Sequence, residues 1–429
     1  MPRATHLTVL VSVELRVCPG AAGTTRHMTD PDEIVRDLSA LLQREPQLEQ
    51  LLEKSLVQAR QRAERDLDRE LYEALDWPTD LDGYSDYLRG FVRWIPREGN
   101  SGAWKSSAPQ ERYAQEVSDR LAHFFWLVDQ DVHEDGGAVA ERSESFRGWL
   151  TDFARQWGSF LDTPESFDED ILRSFIENAP DYHVEESLID GRPNTPSGWL
   201  TFNQFFAREL NGGLRPISDP TDNRVVTSPA DCSYQHRYDI DADSNIPSTR
   251  LKRTHTYGNI RQLLEGSQYA DAFAGGTFVH YMLPPSAYHR YHLPVAGEVR
   301  ESFVVSGQVY MKVDLADSQL QSRDSTDTGY EFFQTRGAVI VDTAKSGCGD
   351  IGLVAVVPVG MSHVASVNLT ATQGTGMAKG EEFGYFLFGG SDIIVLFQDG
   401  VDVQVDSDPA ARKVGSVIAR VGEPLSSRG

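Results

Sequence analysis

One apolar stretch of the chain, residues 383–397, contains a Gly-Gly-Ser sequence where a buried strand would be expected to continue. Glycine in a strand interior loses packing and backbone entropy, so a Gly-Gly pair there marks a bulge, a tight turn or the close approach of another group. Residue types alone favour a hairpin turn. A second interpretation is chemical: the hydroxyl of Ser391 attacks the carbonyl of Gly390, where no Cβ hinders the approach.

That attack would cut the chain. The acyl group shifts from nitrogen to oxygen, the resulting ester eliminates to dehydroalanine, and loss of ammonia leaves a pyruvoyl group at a new N-terminus. A conventional serine hydrolase fits poorly, because its nucleophile lies in Gly-x-Ser-x-Gly between a strand and a helix, whereas strand-like residues follow Ser391. The reaction needs a base that accepts the proton of the serine hydroxyl.

Two other segments carry groups that could supply and orient this base. Asp231 follows Ser-Pro-Ala after a short apolar run, where an aspartate usually forms a turn but can also orient a histidine. His289 and His292 lie three residues apart beside tyrosines and a proline, a spacing compatible with a metal, a proton relay or packing. No third ligand of matching type lies nearby, so we predict no metal site and favour an acid/base role for His292.

The elements that must position these groups fall into two halves, which predicts an α+β fold. The first half is helical: Asp30 can cap a helix that begins at Pro31, and leucines recur at three- and four-residue spacing through about Leu71. After about Pro193, short apolar runs punctuated by Gly, Pro and Asp predict antiparallel strands. We predict a disordered leader at residues 1–27, a helical N-terminal domain at 28–195 and a β-rich catalytic domain at 196–429.

Composition limits the partners and the compartment. The formal net charge of -24 argues against binding to nucleic acid or adsorption to an anionic membrane surface. Three widely spaced cysteines provide neither a disulfide framework nor a metal cluster, which favours a reduced, cytoplasmic protein. No apolar run approaches the roughly 20 residues of a transmembrane helix.

Four segments, taken together and in order, resemble the phosphatidylserine decarboxylase family of pyruvoyl-dependent decarboxylases. They cover roughly residues 199–400, and their combination is specific although each is modest alone. The four segments read FNQFFARELNGGLRPI, VVTSPAD, YHRYHLPVAGEV and KGEEFGYFLFGGSDIIVLF.

The resemblance implies a self-cleaving triad of Ser391, His292 and Asp231. It places the cut between Gly390 and Ser391, giving a β chain of residues 1–390 and an α chain of residues 391–429 from one precursor. Ser391 would become the covalent pyruvoyl group, so no dissociable cofactor is required. His289 matches the family histidine associated with the decarboxylation step. In that step the pyruvoyl group accepts the electrons left when carbon dioxide departs.

One departure from the family pattern concerns the residue after the serine. The family usually has threonine there, whereas this chain has Asp392, a carboxylate that could alter processing or the substrate pocket. We therefore count Asp392, with Phe386 and His363, among the candidate substrate-binding residues. His363 lies among apolar residues, where a core histidine is the alternative interpretation.

The substrate expectation rests on two further similarities. Two features look more like the soluble tryptophan decarboxylase branch than like membrane-bound lipid enzymes. They are the helical N-terminal half with its Trp-Gly-Ser-Phe-Leu segment at residues 157–161, and Gly-Met-Ser-His at residues 360–363. We therefore expect decarboxylation of a free L-amino acid, aromatic ones included. Decarboxylation of phosphatidylserine to phosphatidylethanolamine, in phospholipid biosynthesis, is the alternative.

Three other possibilities stay open. Residues 294–299 and 379–384 resemble the two half-motifs of biotinyl and lipoyl carrier barrels, but Lys345 is not in the context of a carrier lysine. We interpret this similarity as barrel-like strand topology within the enzyme. An unprocessed, non-catalytic homologue is a second alternative, and a homo-oligomer is compatible with the sequence.

Overall fold

The computed structural model describes residues 30–104, 114–132, 139–140, 143–251, 255–309, 311–322, 330–360, 366–389 and 391–422. The predicted leader at residues 1–27 lies outside these ranges, as do His363 and Gly390. The described α-helices are α1 (Pro31–Arg44), α2 (Pro46–Asp66), α3 (Arg69–Ala74), α4 (Leu81–Phe91), α5 (Glu116–Val128), α6 (Glu144–Leu161), α7 (Glu169–Asn178), α8 (Phe202–Phe206) and α9 (Ile260–Leu263).

Short strands dominate the second half of the chain. They are β1 (Leu188–Ile189), β2 (Arg192–Pro193), β3 (Val225–Thr227), β4 (Ser233–Asp239), β5 (Asn245–Leu251), β6 (His255–Asn259), β7 (Thr277–Leu283), β8 (Arg290–His292), β9 (Gly297–Val305), β10 (Val313–Ala316), β11 (Gln319–Ser322), β12 (Arg336–Asp342), β13 (Leu353–Gly360), β14 (Val367–Leu369), β15 (Gly376–Met377), β16 (Glu382–Phe386), β17 (Ser391–Phe397), β18 (Val403–Val405) and β19 (Val417–Val421). The predicted order, helices followed by antiparallel strands, is confirmed.

The first helix begins as the sequence predicts. The Asp30 side chain accepts a hydrogen bond from the backbone N–H of Asp32 at 3.0 Å, and Pro31 occupies the first turn. The leucine pattern does not continue as one helix, because Pro46 cannot donate a backbone hydrogen bond and starts α2 instead. Helix α4, which the sequence analysis did not predict, begins at an N-cap aspartate, Asp80.

Aromatic side chains fill the core between the helices. Trp126, Phe124 and Phe153 are completely or almost completely buried there. The same core contains side chains from the second half of the chain, among them Leu320 of β11 and Phe388 before β17. The helical half therefore packs directly against the strand region.

The largest sheet has seven strands in the order β15-β9-β12-β13-β17-β7-β4, and all its pairs are antiparallel. Strand β17 lies inside it, between β13 and β7. Alternate residues of β17 enter two cores: Ile393 and Val395 pack on the side covered by Phe383 and Phe386 of β16, and Ile394 packs with α9 on the other side. The barrel-like closure expected from the sequence is not found, because the described strands form open sheets.

The remaining sheets are small. Strands β14, β16 and β8 form a three-stranded sheet, and β19 lies between β18 and β3 in another. Strand β19 is therefore hydrogen-bonded to β3, the strand that precedes Asp231. In the part of the chain that the structure describes, no helix has both the length and the apolarity to span a bilayer.

Two carboxyl groups are buried among the helices. Glu98 accepts the backbone N–H of Glu116 at 2.8 Å, and the hydroxyl of Tyr182 lies 3.3 Å from its other oxygen. Burial raises the pKa of Glu98 to about 9, and burial likewise raises the pKa of Asp119 to about 8. Both groups therefore hold a proton in the folded protein at neutral pH.

These protons make the stability depend on pH. In the unfolded chain Glu98 would ionise near its ordinary pKa of 4.5. Between that pH and about 9 the folded state therefore binds more protons than the unfolded state, and the stability of the folded state falls as the pH rises through this window. We expect Glu98→Gln to flatten the fall by up to about 1.4 kcal/mol per pH unit, the value for one proton. Urea unfolding at several pH values measures this. An unchanged slope, equal to that of the exposed control Glu53→Gln, would contradict the assignment.

Candidate active site

Ser391 is the first residue of β17 and is already part of the central sheet. Its backbone pairs with Gly360 of β13 on one side and Leu283 of β7 on the other. The side chain is completely buried, and its hydroxyl has no hydrogen-bond partner among the described residues. Gly389 adopts a φ of +145°, a conformation that side-chain-bearing residues rarely adopt, which explains a glycine at this position.

His292, at the end of β8, has a defined tautomer. Its Nδ1 lies 2.9 Å from the backbone carbonyl of Gly380, which can only accept, so Nδ1 carries the hydrogen. Its Nε2 lies 3.2 Å from the hydroxyl of Tyr288 and accepts from it. Burial lowers the pKa of His292, so the ring is neutral and Nε2 is the basic atom. A neutral imidazole is the form that a general base requires, and here its Nε2 lone pair is engaged by the hydroxyl of Tyr288.

Asp231 does not contact the His292 ring, although the sequence analysis expected it to hold that ring. Both carboxylate oxygens of Asp231 are bound by Arg215, at 2.6 Å from Nη2 to Oδ2 and 3.0 Å from Nε to Oδ1. The backbone N–H of Val414 donates to Oδ1 as well, at 2.8 Å. The physical reason is that a guanidinium offers a carboxylate two parallel donors, which a single imidazole cannot match.

The two segments nevertheless meet through the backbone. The N–H of His292 donates to the carbonyl of Pro229 at 2.7 Å, two residues before Asp231. The negative charge of Asp231 also raises the pKa of His292 slightly against the larger effect of burial. The direct partner of Asp231 is thus Arg215, and its link to His292 runs through the backbone and through its charge.

His289 is more deeply enclosed than His292. It is completely buried, its ring packs against Phe206 with 4.0 Å between ring centroids and a tilt of 30°, and neither ring nitrogen has a hydrogen-bond partner among the described residues. Burial and the nearby guanidinium of Arg208 lower the pKa of His289 to about 3. Its imidazole is therefore neutral, with one donor and one acceptor available for a ligand.

Arg208 is a functional candidate that the sequence analysis missed. It is buried, its Nη2 donates to the carbonyl of Tyr182, and its Nε and Nη1 have no hydrogen-bond partner in the described part of the chain. Burial lowers the pKa of Arg208 to about 10, so the group remains a cation at neutral pH. Residue type alone would not find it, because arginine is rarely fully buried.

A cavity of about 500 Å³ borders α8 and the sheet that carries β8. Its lining includes Trp199, Asn203, Arg208, Arg290 and Tyr385. This volume is within the range of small-molecule sites, and the lining combines aromatic faces with a few polar groups as such sites do. Phe386, a candidate from the sequence, is not part of that lining: it is buried and packs edge-on against Tyr291, at 4.9 Å between centroids.

Asp392 and Ser391 lie on opposite faces of β17, because side chains alternate along a strand. Ser391 shares its face with Ile393, toward β16 and β8, and Asp392 shares the other face with Ile394. The side chain of Asp392 therefore points away from the face that carries Ser391. His363, the remaining candidate, is outside the described residues.

Ser391 fits the expectation of a pyruvoyl group. The serine hydroxyl is a buried donor without a partner, and a carbonyl at this position would remove that unsatisfied donor. The position at the beginning of an internal strand would also hold a new chain terminus in the sheet. Among the described residues, no three His, Cys, Asp or Glu side chains are grouped so that they could hold a metal ion.

Comparisons with known proteins show which proteins the chain resembles. A family model described as phosphatidylserine decarboxylase matches residues 202–423. The chain is 30% identical over 277 residues to a phosphatidylserine decarboxylase proenzyme of Fusobacterium nucleatum, covering 63% of this chain and 80% of that protein. It is 27% identical over 303 residues to decarboxylase iboD of Amanita muscaria, covering 65% and 85%.

A rice relative is longer. Phosphatidylserine decarboxylase proenzyme 2 of Oryza sativa subsp. japonica is 28% identical over 268 residues, which cover 62% of this chain but only 39% of the rice protein. Each of the three matches covers less than two thirds of the present chain. The rest of the chain is not matched to these relatives.

The hydrogen bond from Tyr288 to His292 yields a test of the tautomer. A donor to Nε2 stabilises the neutral ring, so Tyr288→Phe should raise the pKa of His292 by the equivalent of about 0.5–1.5 kcal/mol, the net value of one hydrogen bond. NMR titration of the histidines in a Ser391→Ala background measures this, with Tyr234→Phe as the control. A fall in the pKa of His292 would contradict the assigned tautomer.

Proposed function

Because the chain belongs to the phosphatidylserine decarboxylase family of carboxy-lyases, which use a covalently bound pyruvoyl group formed by self-cleavage, we propose that it cuts itself between Gly390 and Ser391 and then decarboxylates a free amino acid. The observation that carries the proposal is the buried hydroxyl of Ser391, which has no partner among the described residues and lies at the start of an internal strand after a positive-φ glycine. Self-cleavage would give chains of residues 1–390 and 391–429.

The first step uses only groups of the chain. The Ser391 oxygen bonds to the carbonyl carbon of Gly390, the C–N bond breaks, and the hydroxyl proton passes by way of Nε2 of His292 to the freed nitrogen. The ester then eliminates: the α-hydrogen of Ser391 leaves as a proton, the C–O bond breaks, and Gly390 departs as a carboxylate. Water replaces the nitrogen of the resulting dehydroalanine, with ammonia released, and the pyruvoyl group remains.

The neutral state of His292 supports this role. A general base works at neutral pH only if its lone pair is available, and burial keeps the pKa of His292 low enough for that. Asp231, bound to Arg215, is proposed as a positioning residue that fixes the turn on which the His292 backbone rests.

The second step takes place at the same strand end. When formed, the pyruvoyl group supplies the electron sink for the loss of carbon dioxide. His289, neutral in the precursor, would gain a proton more readily once a substrate carboxylate lies near it, because an opposite charge raises the pKa of an imidazole. That proton, held on a ring nitrogen, can be returned to the substrate carbon.

The cavity supports a free amino acid as the substrate. Its volume of about 500 Å³ suits a small molecule, and the rings of Trp199 and Tyr385 in its lining would pack against an aromatic side chain. One observation favours phosphatidylserine as the second candidate: Arg208 has two donors without partners, which suit the phosphate of a lipid head group. The free thiols of Cys232 and Cys348 support the proposed cytoplasmic location.

Self-cleavage is tested on denaturing gels of the purified chain. We expect a large fragment and a 39-residue fragment from the native chain, and neither fragment from Ser391→Ala.

His292→Asn should slow cleavage by about 10²–10⁴-fold, the usual contribution of a general base. Asp231→Asn should have a smaller effect, since Asp231 does not touch the ring. His289→Ala should leave cleavage largely intact while suppressing carbon dioxide release. Persistence of the intact native chain alone would support the non-catalytic alternative.

The substrate class is tested by carbon dioxide release from a panel of free amino acids beside phosphatidylserine in detergent. We expect release from free amino acids, aromatic ones included. Tyr385→Leu should raise KM for an aromatic substrate by about two- to tenfold, the equivalent of one aromatic contact. Tyr234→Leu, which alters an aromatic residue of β4 outside the cavity lining, is the matched control. Release from phosphatidylserine alone would establish the second candidate instead.

A further inference from the structure

Three residues before Ser391, the chain is fixed in the helical core by Phe388. The Phe388 ring is nearly buried and meets Trp157 of α6 and Phe202 and Phe206 of α8 edge-on, with centroid distances of 5.4, 5.1 and 5.1 Å. Edge-on contacts of this kind are favourable beyond the area that they bury. The side chain of Phe388 therefore cannot move without disturbing two helices.

The backbone of Phe388 is fixed as well. Its N–H donates to Oδ1 of Asn203 at 3.2 Å. The amide of Asn203 is itself held, because its Nδ2 donates to the carbonyl of Gly158 at 3.2 Å and to Asp162 at 3.0 Å. A buried amide with both ends engaged has one orientation, so Asn203 presents a fixed acceptor to the segment before the cleavage site.

Two residues after the proposed cut, directly after Ser391, the chain is fixed again by Asp392. Its Oδ2 lies 3.3 Å from Nε2 of His280, and both side chains are completely buried. His280 is on the neighbouring strand β7, where Met282 is the direct partner of Asp392 and His280 that of Ile394, so the pair is a diagonal contact across two strands. A buried carboxylate is costly unless it has such a partner.

The two fixed points belong to different parts of the fold. Phe388 is held by the helices, and the Asp392–His280 pair lies on the face opposite to that of Ser391. Only three residues separate the fixed points, and two of them are glycines with the conformational freedom that an attack on the Gly390 carbonyl requires. The same freedom would let the serine hydroxyl drift away from that carbonyl if the ends were loose.

We propose that Phe388 and Asp392 are positioning residues for self-cleavage, which hold the two ends of Gly389-Gly390-Ser391 at a fixed separation so that the serine oxygen stays near the carbonyl that it attacks. This inference rests on the proposed cleavage at Ser391. Holding reacting groups in place accounts for a large part of the rate of intramolecular reactions. After the cut, Phe388 keeps the end of the β chain in the helical core, and the Asp392–His280 pair keeps the beginning of the α chain in the sheet.

The proposal gives a role to two features that the chemistry leaves unused. The aspartate that replaces the usual threonine has its partner in His280, on the face away from the catalytic groups. The helical half contributes α6 to the anchor of Phe388, and so takes part in processing without supplying a reacting group.

The test follows the full chain after cell-free synthesis, with gel samples taken over time. We expect Phe388→Leu to slow self-cleavage about tenfold or more, whereas Phe160→Leu, in the same helical core but not touching Phe388, should cleave at the native rate. His280→Leu and Asp392→Val should each slow cleavage to a similar extent. The double variant His280→Leu/Asp392→Val should recover part of the rate, because an apolar pair leaves no buried polar group alone.

Two further measurements separate positioning from loss of fold. The same substitutions in a Ser391→Ala background, which stays uncut, report the folded fraction by near-UV circular dichroism; a positioning role predicts a native-like fold with slow cleavage in the cleavable chain. Hydroxylamine cuts the ester once it has formed, so it should not restore the rate of Phe388→Leu or Asp392→Val, in which formation of the ester is the slow step. Asp392→Asn, which preserves shape, provides a variant with less risk to folding and should also slow ester formation.

The outcomes are distinct. Three results would each overturn the positioning role. They are native cleavage rates in Phe388→Leu and Asp392→Asn, full recovery of the cleavage rate with hydroxylamine, and a loss of rate equal to the loss of folded protein. A native chain that never cleaves, or a Ser391→Ala chain that still does, would overturn the proposed function itself.

Discussion

Strand β17 is the constraint on which the rest of the structure depends. All seven of its residues are buried, and it is hydrogen-bonded to β13 on one side and β7 on the other along its whole length. Burial of its apolar side chains stabilises the sheet by roughly 25 cal/mol per Å² removed from water. A strand held in this way cannot slip by one residue, since a slip would exchange its two faces. The position of Ser391 is therefore fixed by the sheet, and a covalent cut before Ser391 would leave the strand in place.

The alternation of β17 also separates two kinds of polar group. Toward β8 and β16, the strand presents the side of Ser391, which is covered by Tyr291 of β8 and by Phe383 and Phe386 of β16. Toward α9, it presents Asp392 and its partner His280. Each face has its own apolar core, so the reacting groups and the Asp392–His280 pair are insulated from each other by a layer of backbone. An aspartate directly after the serine can therefore be accommodated without placing a second carboxylate among the catalytic groups.

The sequence predicts the α+β order, the first helix and the strand that follows the glycines, because local signals determine them: a capping aspartate, a proline and an apolar run. It does not predict the partner of Asp231 or of Asp392. Arg215 is 16 residues from Asp231 and His280 is 112 residues from Asp392, and only the folded chain decides which of several cations or imidazoles meets each carboxylate. The packing of Phe388 against α6 is equally non-local. Helix α4 was not predicted, although Asp80 provides an ordinary N-cap and Leu81, Tyr84, Leu88 and Phe91 recur at helical spacing.

Electrostatics connects the site to its substrate. The chain carries a net charge of -24, which on its own would repel an anionic substrate. Around Asp231, cations and carboxylates are paired: Arg215 bridges Asp231 and Glu186, Lys413 pairs with Glu186, and Arg290 pairs with Glu382 and Glu209. Burial keeps both histidines neutral at neutral pH. Beside this network Arg208 is a buried cation whose Nε and Nη1 have no hydrogen-bond partner among the described residues, so a carboxylate or phosphate placed next to it would be attracted at short range.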